Sequence, residues 1–277
     1  VKKYIYTIWT KPWIKNNTFY SNLLFLTLSI EYIKNYSKKI TIYSDYIGKQ
    51  ICDFIFDKQI EVINNLDKFD NLDFNRWSIP KLYTINEQDS EFCHLDHDVF
   101  LLKNIPSYDN VDFTIQSEEK NNDFQEFYKG LVLHYISNNN DIPNIILDYI
   151  LNKGKICKGI NCGYLDFYNI EIAKQWTDFA INLNNIYTKK FRHIDCCFVE
   201  QFSLYILSKE YDYNYKTLFD FDNNDNYANN NIGYIHLMTA KKENFLKVMT
   251  QAEKILKKNN YEIFRKLENY KNFFSYN

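Results

Sequence analysis

Short runs of β-branched and aromatic residues alternate with longer amphipathic segments along the first half of the chain, starting with Tyr4-Ile5-Tyr6-Thr7-Ile8-Trp9. That alternation belongs to strands and helices wound into an α/β fold with a mostly parallel sheet flanked by helices. It predicts strands over residues 4–9, 40–44, 60–63, 91–95 and 111–116, and helices over 19–35 and 46–56. From 123 to 151 the pattern is helical, until Gly154, Gly159 and Gly163 interrupt it in quick succession. A strand and an amphipathic helix over 170–183 follow, the helix with a period near 3.6. Another helix is expected to start at Glu200 and a short strand to occupy 233–237. A helical, basic and aromatic tail closes the chain over 241–276. No internal repeat is visible.

Composition narrows the class. With 277 residues, 45% of them hydrophobic and 18% aromatic, the chain can bury one sizeable core. The expected organisation is a catalytic domain over 1–242 and a helical C-terminal tail over 243–277. Lys plus Arg number 33 against 35 Asp plus Glu, so a net charge of -2 gives no electrostatic basis for binding nucleic acid. The sequence contains no apolar run long enough for a transmembrane segment, and residues 1–13 read as a core strand rather than a leader. A cytoplasmic protein is therefore expected. The six cysteines are scattered without metal-site spacing and read as buried free thiols.

The sharpest chemical feature is Phe92-Cys93-His94-Leu95-Asp96-His97-Asp98-Val99, an apolar strand ending in two carboxylates. In an extended strand positions i and i+2 share a face, so Asp96 and Asp98 are expected to point at one ligand. Two neighbouring anions beside a buried strand are costly unless a cation neutralises them. A hard divalent ion with oxygen ligands suits them, at the carboxyl end of a strand where ligands of open α/β sheets collect.

This element resembles the Asp-x-Asp motif of GT-A (Rossmann-like) glycosyltransferases, particularly glycosyltransferase family 8 and its relatives. Other blocks recur in that family's order. Arg76-Trp77-Ser78-Ile79-Pro80-Lys81-Leu82 resembles the Arg-x-x-Ile-Pro-x-Leu helix whose Arg contacts the donor. Asn161-Cys162-Gly163 resembles the Asn-x-Gly turn beside the donor sugar, and Glu200-Gln201 the Asp-Gln pair of the sugar pocket. His236 with Lys242 resembles the His-x5-Lys element, in which the His completes the metal site and the Lys binds the diphosphate, with Lys241 as a substitute. The chain departs from the pattern at Phe202, Thr239 and Glu243-Asn244.

The resemblance implies a hexosyltransferase that takes a sugar from a nucleotide-sugar donor, a UDP-sugar, with retention of configuration. Asp96, Asp98 and His236 would be ligands of Mn²⁺ or Mg²⁺. Arg76, Asn161, Gly163, Lys241 and Lys242 would hold the donor, and Glu200 and Gln201 would face the reacting carbon. Trp9, Thr10, Tyr43 and Asp45 end the first two strands, where a base and ribose would sit. The acceptor, a glycan, a lipid or a peptide or protein, is left open.

Each residue also has a plainer role: Arg76 as a salt-bridge partner, Asn161 and Gly163 as a tight turn, Glu200 as the start of a helix and His236 as a hydrogen-bonded core histidine. Two other functions share the same motif, a metal-dependent phosphodiesterase and an inactive nucleotide-sugar-binding protein. In the tail, the part before Asn259 is expected to pack on the domain. The aromatic end from Tyr261 is expected either to dock or to recruit a partner.

Overall fold

The computed structural model describes residues 2–139, 141–149, 157–187, 191–219, 228–237 and 242–271. Up to residue 101 the elements are β1 (Tyr4–Ile8), α1 (Thr10–Lys15), α2 (Phe19–Ile33), β2 (Ile40–Ser44), α3 (Tyr46–Ile55), β3 (Glu61–Asn64), α4 (Ser78–Asn86), β4 (Phe92–Leu95) and β5 (Val99–Leu101). The middle holds β6 (Phe113–Ile115), β7 (Glu118–Glu119), α5 (Asn122–Asn138), α6 (Asn144–Asp148), β8 (Gly159–Ile160), β9 (Tyr164–Phe167) and α7 (Ile170–Ile186). Then come α8 (Asp195–Cys197), a π-helical turn (Phe198–Phe202), α9 (Ser203–Glu210), β10 (Tyr215–Thr217), β11 (Ala228–Asn229), β12 (Tyr234–His236), α10 (Lys242–Asn259) and α11 (Tyr261–Glu268). The architecture is mixed α/β, with mostly parallel sheet strands and helices around them.

The chain forms two compact units, one of Val1–Phe74, Leu95–Pro106 and Tyr227–Asn277, the other of Asn75–His94 and Ser107–Asn226. In the first, β1, β2 and β3 lie side by side in parallel, with Tyr4 opposite Ile40 and Thr41 opposite Glu61. Every residue of β2 is buried, as expected of a parallel strand covered on both faces. Helix α2 is apolar around most of its circumference, and Leu23, Leu24, Leu26 and Ile30 are at most 1% exposed. The Ser29 hydroxyl on α2 is 2.8 Å from the Tyr6 hydroxyl of β1 and donates to the Val99 carbonyl at 2.5 Å. That link ties β5 to the helix and the sheet.

Strand β5 pairs antiparallel with β12, and β12 with β11. Gly233 enters β12 at a φ of +69°, and a Cβ there would lie 2.7 Å from Lys103 Cγ, so the turn favours glycine. The tail docks on the same unit: α10 packs against α2 and α11 against α3. Ala252, Leu256, Ile263, Phe264 and Leu267 are buried, and Tyr20 donates to Glu253 at 2.9 Å. Of the two fates expected for the aromatic end, its described part docks.

In the second unit the strand order is β10-β6-β9-β4, with β10 and β6 parallel and β6 and β9 antiparallel. An aromatic ladder runs across it: Phe92 to Phe167 at 5.6 Å, Phe167 to Phe113 at 5.2 Å, and Phe113 stacked on Tyr215 at 5.2 Å. Trp176 of α7 stacks on Phe167 and donates its indole N–H to Ser203 at 2.9 Å. Helix α7 packs on α4, where Asn86 donates to Thr177 at 2.8 Å.

One expectation about these elements needs correction. The helix containing Glu200 starts at Asp195, not at Glu200, because Arg192 N and the Arg192 guanidinium bond the Asp195 carboxylate and order the turn before it. Glu200 is thus inside a continuous helical run and does not start it. All six cysteines are free and all but Cys197 are buried, as expected.

Candidate functional site

In the first unit, β4 ends at Leu95 and the chain turns at once. The Val99 N–H donates to the Asp96 carbonyl at 3.1 Å, which closes a four-residue turn over Asp96-His97-Asp98-Val99. Asp96 and Asp98 therefore converge through a turn, and the expectation that they share one face of an extended strand is corrected. Strand β12 supplies the third group. His236 lies opposite Val99, and the Leu237 N–H donates to the Asp98 carbonyl at 3.1 Å. One ligand atom each of Asp96, Asp98 and His236 falls within 4.8 Å of the others, the one such group of this size among the described residues.

His236 Nε2 is 3.3 Å from Asp98 Oδ1. Burial works against the Asp98 carboxylate, but the charge and hydrogen bond of His236, with His97 behind, hold it well below the usual carboxylate range. His97 turns away and packs its ring 5.0 Å from that of Trp13. His94 points into the core, where burial and then the Lys81 charge push its basicity far down, so it stays neutral. Two carboxylates and one imidazole, gathered by backbone hydrogen bonds, form a donor set that could hold a metal ion.

At the carboxyl ends of β1 and β2 the register sets Ile8 opposite Ser44, which brings together Trp9, Thr10, Tyr43 and Asp45, all buried. Asp45 accepts from Thr10 N at 2.6 Å, Thr10 Oγ1 at 2.8 Å and Gly48 N at 2.9 Å, and so caps α3. Burial raises its carboxyl above the ordinary value although those bonds pull it down. Lys241 lies outside the described residues, as does Thr239, and Lys242 begins α10.

The second unit holds a buried polar network. Lys81 Nζ is 2.7 Å from Glu200 Oε1 and donates to the Cys162 carbonyl at 2.7 Å. Asn161 accepts from the Gly163 N–H at 3.0 Å and donates through Nδ2 to Glu119 Oε1 at 2.9 Å. Tyr128 reaches both Glu119 Oε2 and, at 2.6 Å, the Gln201 carboxamide. Lys81, Glu119, Tyr128, Asn161 and Glu200 are at most 5% exposed. Glu200 and Gln201 lie in the π-helical turn, a distortion common at functional sites. Phe202, where the resemblance expected an acid, is fully buried and stacks on Tyr128 and Phe198. Arg76 stands on other partners: it donates to the Asn184 carbonyl at 3.0 Å and covers the Phe191 ring at 4.4 Å.

Three members of this network escaped the sequence reading. Lys81 is a lone cation among Ile79, Leu82 and Ile85 on a helix, a signal of a buried partner. Glu119 follows the strand predicted over 111–116, the place already marked for ligands. Tyr128 is one of 24 tyrosines, with nothing in its spacing to distinguish it.

The family model described as a family of unknown function, DUF6734, matches residues 3–270. No curated protein matches the chain. Among solved structures, mouse xyloside xylosyltransferase 1 in its apo form is similar over 78% of this chain and 84% of that chain, at 9% identity and a TM-score of 0.42. The CTP:phosphocholine cytidylyltransferase LicC of Streptococcus pneumoniae is similar over 90% of this chain and 98% of that chain, at 14% identity and a TM-score of 0.45. Likeness this distant assigns neither a fold family nor a chemistry. No described helix is long and apolar enough to cross a membrane.

Proposed function

For this chain, which belongs to the family of unknown function DUF6734, we propose a metal-dependent glycosyltransferase of GT-A type that takes a hexose from a nucleotide-sugar donor, a UDP-sugar. The observation that carries the reading is the convergence of Asp96 and Asp98 with His236, which is far from them in sequence, within 4.8 Å of one another. The other residues are supported by the motif resemblance.

Asp96, Asp98 and His236 would hold Mn²⁺ or Mg²⁺. When bound, that ion supplies positive charge to a diphosphate leaving group. Lys242, or Lys241 beside it, adds a cation for the same oxygens. Gln201 offers a hydrogen-bonding group to the sugar, the motif resemblance sets the Asn161-Cys162-Gly163 turn beside it, and the Lys81–Glu200 pair holds the π-helical turn that carries Gln201. Retention of configuration is part of the proposal on the strength of the motif resemblance alone, and it requires no strong base opposite the leaving group. The proposal leaves the acceptor open among a glycan, a lipid and a peptide or protein.

The test is a screen for nucleotide release from UDP-glucose, UDP-galactose, their N-acetyl forms and GDP-mannose with Mn²⁺. The reading expects release from a UDP-sugar that stops on chelation. Binding of UDP and Mn²⁺ without release from any donor would favour an inactive binding protein. Cleavage of simple phosphodiesters in place of sugar donors would favour the hydrolase.

A further inference from the structure

The second unit's network contains a proton count that decides how Gln201 faces a ligand. The Gly163 N–H donates to Asn161 Oδ1 at 3.0 Å, which fixes the Asn161 amide with its nitrogen toward Glu119 Oε1 at 2.9 Å. Glu119 thus accepts on one oxygen, and its other oxygen lies in hydrogen-bond contact with the Tyr128 hydroxyl. The same hydroxyl is 2.6 Å from the carboxamide end of Gln201 assigned as Oε1, an assignment that would have it donate to Gln201 as well as to Glu119. A phenol has one proton for these two neighbours.

A carboxylate is a stronger acceptor than a neutral amide, so the proton goes to Glu119. Burial, then the charge of Glu119, also hold the Tyr128 hydroxyl well above its ordinary range, so it stays protonated. The phenol oxygen is then left as an acceptor, and the two ends of a carboxamide, alike in shape, are told apart by their partners. Space for this arrangement is specific: a Cβ at Gly159 would lie 2.1 Å from both Cζ and the hydroxyl oxygen of Tyr128.

We infer that Tyr128 is a positioning residue. Its proton is committed to Glu119, so Gln201 turns its amide nitrogen to the phenol and presents its carbonyl oxygen as an acceptor to a hydroxyl of the transferred sugar. The sugar in this statement rests on the transferase reading above; the orientation of Gln201 does not.

The test is a double-mutant cycle of Gln201→Glu and Tyr128→Phe followed by chemical denaturation between about pH 8 and about pH 5, above the ordinary carboxylate range, where a carboxyl of raised pKa titrates. An ionised carboxylate at position 201 cannot donate to the phenol oxygen. Its pKa is therefore raised in the folded state, and the stability it costs at high pH returns as the pH falls through that raised value. The titratable neighbours of Tyr128 are Glu119, Cys162 and Cys197, and they are common to both backgrounds. We expect recovery of Gln201→Glu at low pH with Tyr128 present and none specific to position 201 in Tyr128→Phe. Equal pH responses in the two backgrounds would overturn the inference.

Should Gln201→Glu fail to fold, the side-chain amide resonances of Gln201 decide. In the wild-type protein one N–H is shifted and protected by its bond to the phenol, and Tyr128→Phe removes that signature. Resonances unchanged by Tyr128→Phe would contradict the assignment. In the donor assay Tyr128→Phe should lower kcat roughly tenfold or more with KM little altered. A wild-type protein that releases no nucleotide would sink the transferase reading, while the denaturation cycle would still decide the orientation.

Discussion

The Asp96–Asp98–His236 group and the Lys81–Glu119–Tyr128–Glu200 network are both made of charged and polar side chains, yet they solve opposite problems. In the second, each buried group meets a partner inside the protein: Lys81 pairs with Glu200 at 2.7 Å, and Glu119 accepts from Asn161 and Tyr128. In the first, two carboxylates converge with one imidazole so that their ligand atoms lie within 4.8 Å of one another. A network satisfied from within holds geometry and resists change. Two carboxylates and an imidazole, held together by the backbone turn of β4–β5 and the pairing of β5 with β12, offer their ligand atoms to one ion. The comparison predicts that charge removal destabilises the second region and leaves the first standing.

The largest effect should come from Lys81→Met. It leaves Glu200, 1% exposed, without its cation, and breaking such a pair costs about 3–5 kcal/mol. Urea denaturation would measure it. Adding Glu200→Met should recover much of the loss, since an apolar pair of similar volume packs in place of the ions. If the single variant is as stable as the wild-type protein, the network is not self-contained.

Gly159→Ala should come next. Its Cβ would strike the Tyr128 ring and hydroxyl, and overpacking of this kind costs about 1–3 kcal/mol. Nucleotide release should fall with it, because the phenol can no longer hold Gln201. Stability lost without any change in release would separate Tyr128 from the chemistry.

A smaller change tests the docking of the tail on the first unit. Asn260 accepts from the Ile263 N–H at 3.2 Å as the cap of α11 and donates to Glu31 at 3.0 Å. Asn260→Ala should cost about 1 kcal/mol, seen as a lower midpoint in thermal unfolding.

The smallest effect on stability is expected at Asp96. Without metal, Asp96→Asn removes one of two like charges and should change stability by no more than about 0.5 kcal/mol, or raise it slightly. A loss of several kcal/mol would place Asp96 in the same class as Lys81 and erase the contrast.

Much of the fold was legible. The strands β1, β2, β3 and β4 and the helices α2, α3 and α7 follow the apolar periodicities closely, because burial on a sheet or on one helix face leaves a repeating trace in sequence. Helix α1 was not legible: with Pro12 near its start and six residues in all, it carries too few turns to show a period. Strand β5 was hidden because Asp96-His97-Asp98 reads as the end of an extended run, and the turn is made by a backbone hydrogen bond. Asp96, Asp98 and His236 could be picked out because ligand chemistry restricts residue type. Tyr128 could not, because a positioning role is written in three-dimensional partners and not in spacing. Lys81 and Glu119 lie between these cases, each marked by a charge where the local pattern called for an apolar or a ligand-facing residue.

The account rests above all on one ion held by three side chains, and Mn²⁺ titration by calorimetry in the presence of UDP tests it most directly. The wild-type protein should bind one equivalent. Asp98→Ala and His236→Ala should each weaken binding by more than the roughly 10- to 100-fold typical of an outer-shell partner, and the double variant should be little worse than either alone, because both act through the same ion. Full affinity in both single variants, or losses that simply add, would contradict the assignment of Asp96, Asp98 and His236 to a metal.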